Sequence, residues 1–306
     1  MSSTPNVSAR FSIYIFRNTK ELIIEIILFF AAFVSVATTV GIIWVLVSES
    51  IHFFEHVSFI DYVTDTLWTP LFEDAHYGIM PLLAGTLTTS LVALSVAIPL
   101  GTIIAIYLSE FANHKVREVV KPFLELLGGV PTIVYGYFAL VVITPLLQII
   151  FPELPGFSML SAGLVMGVAI IPYISSLAED AMRAVPMSMR EGSYAAGATR
   201  LQTALRVVFP AALSGILSAY ILGISRAVGE TMIVAVAAGM QPNLTMNPME
   251  PAQTISAYIV QVALGDLPHG SIGYQSIFAA GLALMLLTLV FNILGHLLRK
   301  RFREEY

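Results

Sequence analysis

Long apolar runs separated by short polar stretches dominate the chain. Six of them match the roughly 20 residues a helix needs to cross a bilayer. They lie at about 22–47, 80–108, 132–151, 158–178, 211–238 and 276–298. This patterning predicts an all-α membrane protein with six transmembrane helices. Between the second and third runs the pattern becomes amphipathic, which predicts a helix ending at Gly128-Gly129 and a span starting just after Pro131. Ile255, Tyr258, Ile259 and Val262 share one helical face, predicting a short helix at the interface or tucked among the spans. Pro99 and Pro172 predict bends within their helices. Gly163 with Gly167, and Ser214 with Ser218, are small-residue pairs that let helix backbones approach closely.

Composition agrees with that pattern. Only 11% of the 306 residues are charged, against about 25% in soluble domains. The net charge of −5 says less than its distribution. Arg10, Arg17 and Lys20 precede the first span, and Lys115, Arg117 and Lys121 lie between the second and third. Arg183, Arg190, Arg200 and Arg206 lie between the fourth and fifth, and Arg299, Lys300, Arg301 and Arg303 follow the sixth. The opposite segments, near 48–79, 152–157 and 239–275, carry no Lys or Arg. The positive-inside rule therefore predicts that both termini are cytoplasmic. The expected organisation is a cytoplasmic segment over 1–21, a first span with an outside hairpin over 22–79, a transmembrane domain over 80–298, and a basic cytoplasmic tail over 299–306. The first apolar run is too long for a cleaved signal peptide, and no small-residue cleavage pattern follows it. With no cysteine, disulfide staples and thiolate metal sites are excluded.

The outside hairpin carries Glu49, Glu55, Asp61, Asp65, Glu73 and Asp74 with no Lys or Arg, a poor collector of anions. Its "HFFEH" (His52 to His56) matches a zinc-peptidase pattern. That chemistry needs a third ligand and a folded domain, so an interfacial helix with aromatic anchors is the better reading. "NLT" at Asn243 matches a short glycosylation pattern that arises readily by chance. No Gly-Lys dipeptide occurs, so no phosphate-cradling loop can be drawn; if ATP drives this protein, a partner hydrolyses it.

The most specific segment is "AVPMSMREGSYAAGATRLQTALRVVFPAALSG", 184–215. Ser188 with Glu191, and Thr199 with Gln202, read as capping boxes opening two short helices. Gly197 is placed to end the first, and Pro210 suits the first turn of the fifth span. Glu191-Gly192-Ser193, Gly197 four positions beyond Ser193, and Val207-Val208-Phe209-Pro210 resemble the E-A-A-x-x-x-G-x9-I-x-L-P loop of bacterial ABC importer permeases. Gly-Ser replaces Ala-Ala, Val207 replaces Ile and Phe209 replaces Leu. The resemblance implies that this loop, near 186–209, docks on an ATPase subunit.

A narrower likeness rests on "LELLGGVPTIVYGYFAL", "SRAVGETM" and "AYIVQVALGDLPHGSIGYQSIFAAGLAL". These resemble the PstC-type permeases of bacterial phosphate importers, with Met232 after Glu230-Thr231 favouring that subunit over its PstA-type companion. The resemblance implies a MetI-like fold in the inner membrane and a PstA-type second permease. It also implies a PstB-type ATPase dimer holding ATP and Mg, and a periplasmic PstS-type phosphate-binding protein. This chain would bind no cofactor or nucleic acid of its own, only its partners and membrane lipid.

Arg226 and Glu230 lie inside the fifth apolar run. An arginine at the bilayer centre costs about 2.5–3.5 kcal/mol on insertion scales. Four residues apart, the two would share one helical face. Either the pair is a permanent salt bridge holding helices in register, or Arg226 is borrowed from Glu230 by a passing oxyanion. The second reading is carried forward, since guanidinium matches phosphate oxygens with two parallel hydrogen bonds. It also agrees with the family, where the Arg and Glu of that helix are implicated in phosphate passage. The expected function is the permease of an ATP-driven phosphate importer. The alternatives are a permease for sulfate or molybdate, a secondary transporter or channel, and a membrane scaffold without transport.

Overall fold

The computed structural model describes residues 7–301, with side chains from Glu21 onward except that of Asp266. The described chain is helical apart from connecting segments and two isolated bridges. In order the helices are α1 (Val7–Phe54), α2 (Phe59–Thr64), α3 (Met80–Ile106), α4 (His114–Gly129), α5 (Thr132–Phe138), α6 (Thr144–Ile150) and α7 (Met159–Arg183). Then follow α8 (Met187–Ala195), α9 (Arg200–Thr203), α10 (Phe209–Ala211), α11 (Leu213–Val228), α12 (Met232–Ala237), α13 (Ile255–Gln261) and α14 (Ile272–Arg301).

The chain divides into two units, with the boundary inside α1 after Glu49. The described side chains of the first unit form an exposed apolar rod, with Phe29, Phe30 and Trp44 all on its surface. Lipid tails solvate such a surface, and the hydroxyls of Thr38 and Thr39 are satisfied inside the helix by the carbonyls of Val34 and Ser35.

In the second unit α7 is the central helix and α3 packs along it. A methyl group on Gly167 would sit 2.7 Å from the Ala93 carbonyl oxygen, and one on Gly163 would meet the Val92 side chain at the same distance. Only glycine permits this approach, as the four-residue spacing predicts. The serine pair is different. Helix α11 approaches α7 through Gly215, against Ala181, and Gly223, against Ile174. Ser214 and Ser218 instead line cavities against α14. Ala93, Ala162, Met166, Ile170, Ala227 and Ile233 form the middle of the core.

At one end the hairpin after α1 folds onto α13 and α14. Phe53, Tyr62, Trp68, Tyr258 and Ile277 are buried together there, with edge-on ring contacts such as Trp68–Tyr258 at 4.9 Å. Tyr62 Oη donates to the Ala279 carbonyl, and Tyr258 pairs with Ser276 at 2.6 Å. The short helix predicted near 255 is thus tucked among the others, with Ile255, Tyr258 and Val262 buried. His52 and His56 lie on the exposed side of the α1 terminus, and His56 Nδ1 sits 3.1 Å from the His52 carbonyl.

Four predicted spans are continuous enough to cross a bilayer: Glu21–Phe54, Met80–Phe111, Met159–Arg183 and Ile272–Arg301. A further one, Thr132–Ile150, starts directly after Pro131 as expected. Helices α3 and α7 continue through Pro99 and Pro172. The fifth predicted span is corrected. Pro210 sits in α10, at the end of the run from Arg200 to Ala211, and a 74° bend separates that run from α11. Helix α11 then ends at Val228, so 211–238 is not one helix. Gly229 favours coil over helix, and the Glu230 carboxylate accepts hydrogen bonds from the N–H groups of Met232 and Ile233, starting α12 anew.

Candidate functional site

Arg226 lies on the last turn of α11, about 20 Å along that helix from Leu213. Its side chain is half-buried, with Cζ 4.0 Å from the centroid of the Tyr173 ring on α7. Tyr173 is itself fixed, since its Oη donates to the Gly128 carbonyl at the end of α4. Tyr135 Oη likewise donates to the Leu127 carbonyl, so two phenols hold the last turn of α4. A guanidinium over an aromatic face gains about 0.5–2 kcal/mol, depending on desolvation.

The expected Arg226–Glu230 salt bridge is absent. Among the described residues no carboxylate oxygen lies within 4 Å of the Arg226 guanidinium. The four-residue spacing brings side chains together only while the helix continues, and it stops between them. Glu230 instead interacts with the positive end of α12, while its own carbonyl accepts from Ser256 Oγ at 2.7 Å. Next to Arg226, Ser225 Oγ donates to Asn292 of α14 at 3.1 Å.

The loop motif forms a second constellation. Helix α8 ends as predicted at Gly197, whose φ of +84° suits glycine. The Gly197 N–H donates to Tyr194 and that of Ala198 to Ser193, the double closure of a Schellman motif. Thr199 and Gln202 form the predicted reciprocal capping box. The Ser188–Glu191 box does not form, because α8 already begins at Met187 and Pro186 takes the cap position without a side-chain bond. Glu191 and Gly192 are exposed, Ser193 is bonded to Thr203 Oγ1 at 2.9 Å, and Pro210 is exposed. Met187 and Tyr194 on α8, Leu201 on α9 and Leu205 on the π-helical turn Ala204–Val208 that follows it present apolar surface.

Two ionic clamps around this loop were not legible in the sequence. Arg190 is nearly buried and reaches Glu110, on the π-helical turn Tyr107–Phe111 that extends α3. Its Nη2 donates to Glu110 at 2.8 Å, and Nη2 and Nη1 also donate to the carbonyls of Met182 and Val185 at the end of α7. Glu179, fully buried on α7, pairs with Arg117 at 2.6 Å and Lys121 at 3.0 Å, both on α4. Burial disfavours the Lys121 ammonium, but Asp180 and Glu179 outweigh it and raise its pKa. Their only sequence signal is a carboxylate at a span end with basic residues in neighbouring loops.

The chain belongs to the family described as binding-protein-dependent transport system inner membrane component, whose model matches residues 97–304. It is 35% identical over 245 residues to a probable ABC transporter permease protein, YqgH, of Bacillus subtilis, covering 80% of this chain and 79% of that one. It is 33% identical over 249 residues to the phosphate transport system permease protein PstC of Mesorhizobium japonicum, covering 74% of each. Among solved structures, the MetNI methionine ABC transporter in an inward-facing conformation matches with a TM-score of 0.56 at 19% identity, over 74% of this chain and 95% of that one. A bacterial ABC transporter involved in alginate import matches at 0.61 and 18% identity, over 86% and 93%. The fold is therefore that of an ABC importer permease. The chain is a non-catalytic, multi-pass inner-membrane permease subunit of a binding-protein-dependent transport system.

Proposed function

We propose that this chain is the PstC-type permease subunit of an importer that moves inorganic phosphate into the cell. The observation that carries the reading is the half-buried Arg226, deep along α11, with an aromatic face beneath it and, among the described residues, no carboxylate within 4 Å. A guanidinium held this way keeps its hydrogen-bonding fork available to the oxygens of a passing oxyanion. Glu230, held by the start of α12 one helix break away, sets a negative charge near the route and opposes a permanent stay. Relatives bearing the PstC name support phosphate over other oxyanions.

In this reading the termini and the basic loops are cytoplasmic and the acidic hairpin is periplasmic. The domain bounds at 21, 79 and 298 follow from that topology. The partners are a PstA-type permease, a PstB-type ATPase dimer holding ATP and Mg, and a PstS-type phosphate-binding protein. The loop with Glu191, Gly192, Ser193 and Gly197, leading to Pro210, docks on the ATPase, and its exposed Met187, Tyr194, Leu201 and Leu205 suit such an interface.

The test is ATP-dependent uptake of labelled phosphate by the whole complex in proteoliposomes, with sulfate and molybdate as competitors. Wild type and Arg226→Gln are compared at equal incorporation. Phosphate-selective uptake lost in the variant is the expected result. Undiminished uptake removes Arg226 from the route, and competition by sulfate or molybdate reassigns the substrate.

A further inference from the structure

Two cavities of about 270 and 530 Å3 open between α11 and α14 at the basic end of the second unit. His296 and Arg299 line both of them. Arg299 Nη2 lies 3.1 Å from His296 Nδ1, so the two side chains act as one donor group. Lys300 adds a second full charge to the larger cavity, which Ser214 also lines; Ser218 lines the smaller one, its hydroxyl donating back to the Ser214 carbonyl. Among the described residues no carboxylate lies within 4 Å of Arg299 or Lys300. A lining of Arg299, Lys300 and His296 suits an anion.

Its depth says which kind. His296 lies about 36 Å along α14 from Ile272, beyond the roughly 30 Å hydrocarbon core and within the headgroup zone. Directly before it on the same helix, Ile293 and Leu294 are half exposed, and Leu297 follows. Apolar side chains facing outward next to a basic cavity match a molecule with a phosphate head and acyl tails. A free ion has no use for them.

We propose that this cavity pair binds the phosphate-bearing headgroup of an anionic phospholipid. The Arg299 fork and the Lys300 ammonium hold the phosphate oxygens, and the tails lie along Ile293, Leu294 and Leu297. Arg226 does not line the site, which adjoins it through Asn292, the partner of Ser225, and does not depend on the transported substrate.

The whole importer complex, extracted from mixed phosphatidylglycerol–phosphatidylcholine bilayers, is weighed by native mass spectrometry to count retained lipids. Wild type is expected to retain phosphatidylglycerol in preference to phosphatidylcholine. Arg299→Gln should lower that retention about fivefold, and Arg299→Gln with Lys300→Gln about 25-fold. Ser218→Leu should lower it without any change of charge, by filling the cavity. Lys115→Gln, an equally exposed basic residue at the same end, should leave it unchanged. Thermal midpoints in pure phosphatidylcholine confirm that each variant is folded. Equal loss in Lys115→Gln would reduce the effect to diffuse surface attraction. Displacement of the lipid by inorganic phosphate would make it a free-ion site, and equal retention of both lipids, or of neither, would end the proposal.

Discussion

Removing the Glu110 carboxylate should free α8 from the bundle while the spans stay folded. In Glu110→Leu the Arg190 guanidinium loses both acceptor oxygens of its partner and keeps only the carbonyls of Met182 and Val185. The two side chains are 4% and 11% exposed, so water does not replace what is lost. Breaking a buried pair by removing one partner costs about 3–5 kcal/mol. Taking the lower figure because Arg190 keeps its carbonyls, opening of α8 becomes roughly 150-fold more frequent. Hydrogen exchange of the 187–196 peptide in lipid nanodiscs reads this directly. The double variant Glu110→Leu with Arg190→Met leaves no uncompensated charge and should exchange more slowly than the single one. Exchange in Glu110→Leu within threefold of wild type, or a double variant worse than the single, would refute the argument that the pair anchors α8.

Other outcomes follow from the same contacts. Gly167→Leu drives a side chain into the Ala93 carbonyl and should cost about 3 kcal/mol or more in detergent melting, whereas Gly192→Ala, with open space around it, should stabilise α8 by about 0.5–1 kcal/mol. His76 Nδ1 lies 2.9 Å from Asp65; that bond raises the His76 pKa above 6.5 against a smaller opposing effect of burial. Burial works against the Asp65 carboxylate, but hydrogen bonds from His76 and from the Leu67 N–H prevail and lower its pKa below 3.8. The clasp therefore contributes most between these values, weakening as pH rises through the His76 pKa or falls through that of Asp65. NMR titration of His76 should move toward its ordinary value in Asp65→Asn, with Asp74, 3.8 Å from Nε2, keeping part of the rise. Thr199→Ala removes one half of the α9 capping box and should cost about 1 kcal/mol, measured as faster exchange at Gln202.

The sequence speaks clearly where a single physical demand acts along the chain. Apolar runs long enough for a bilayer marked the helices, and Gly163 with Gly167 marked the close seam between α3 and α7 because lipid offers no other drive for close packing. Thr199, Gln202 and Gly197 were legible because caps are local. Glu230 was misplaced because its spacing from Arg226 carries meaning only on an unbroken helix. The break depends on Gly229 and on a carboxylate choosing backbone N–H groups over a guanidinium. Ser188 shows a related failure: a matching pair of residues does not set the helix start when Pro186 already opens it two residues earlier. Tyr173 and Glu179 were missed because their partners lie 53 and 58 residues away along the chain, and no local pattern links them.

The glycine seam has a mechanical consequence. Where two helices mesh backbone against side chain, sliding one past the other forces atoms through each other, so α3 and α7 behave as a single beam. The two ionic clamps fasten both α4 and α8 to the same end of that beam. Strain applied to the projecting helices is therefore carried whole into α7 and α3. It relaxes where the chain is already broken, at the 74° elbow around Ala212 and across Gly229 to Thr231, the second of these starting three residues beyond Arg226.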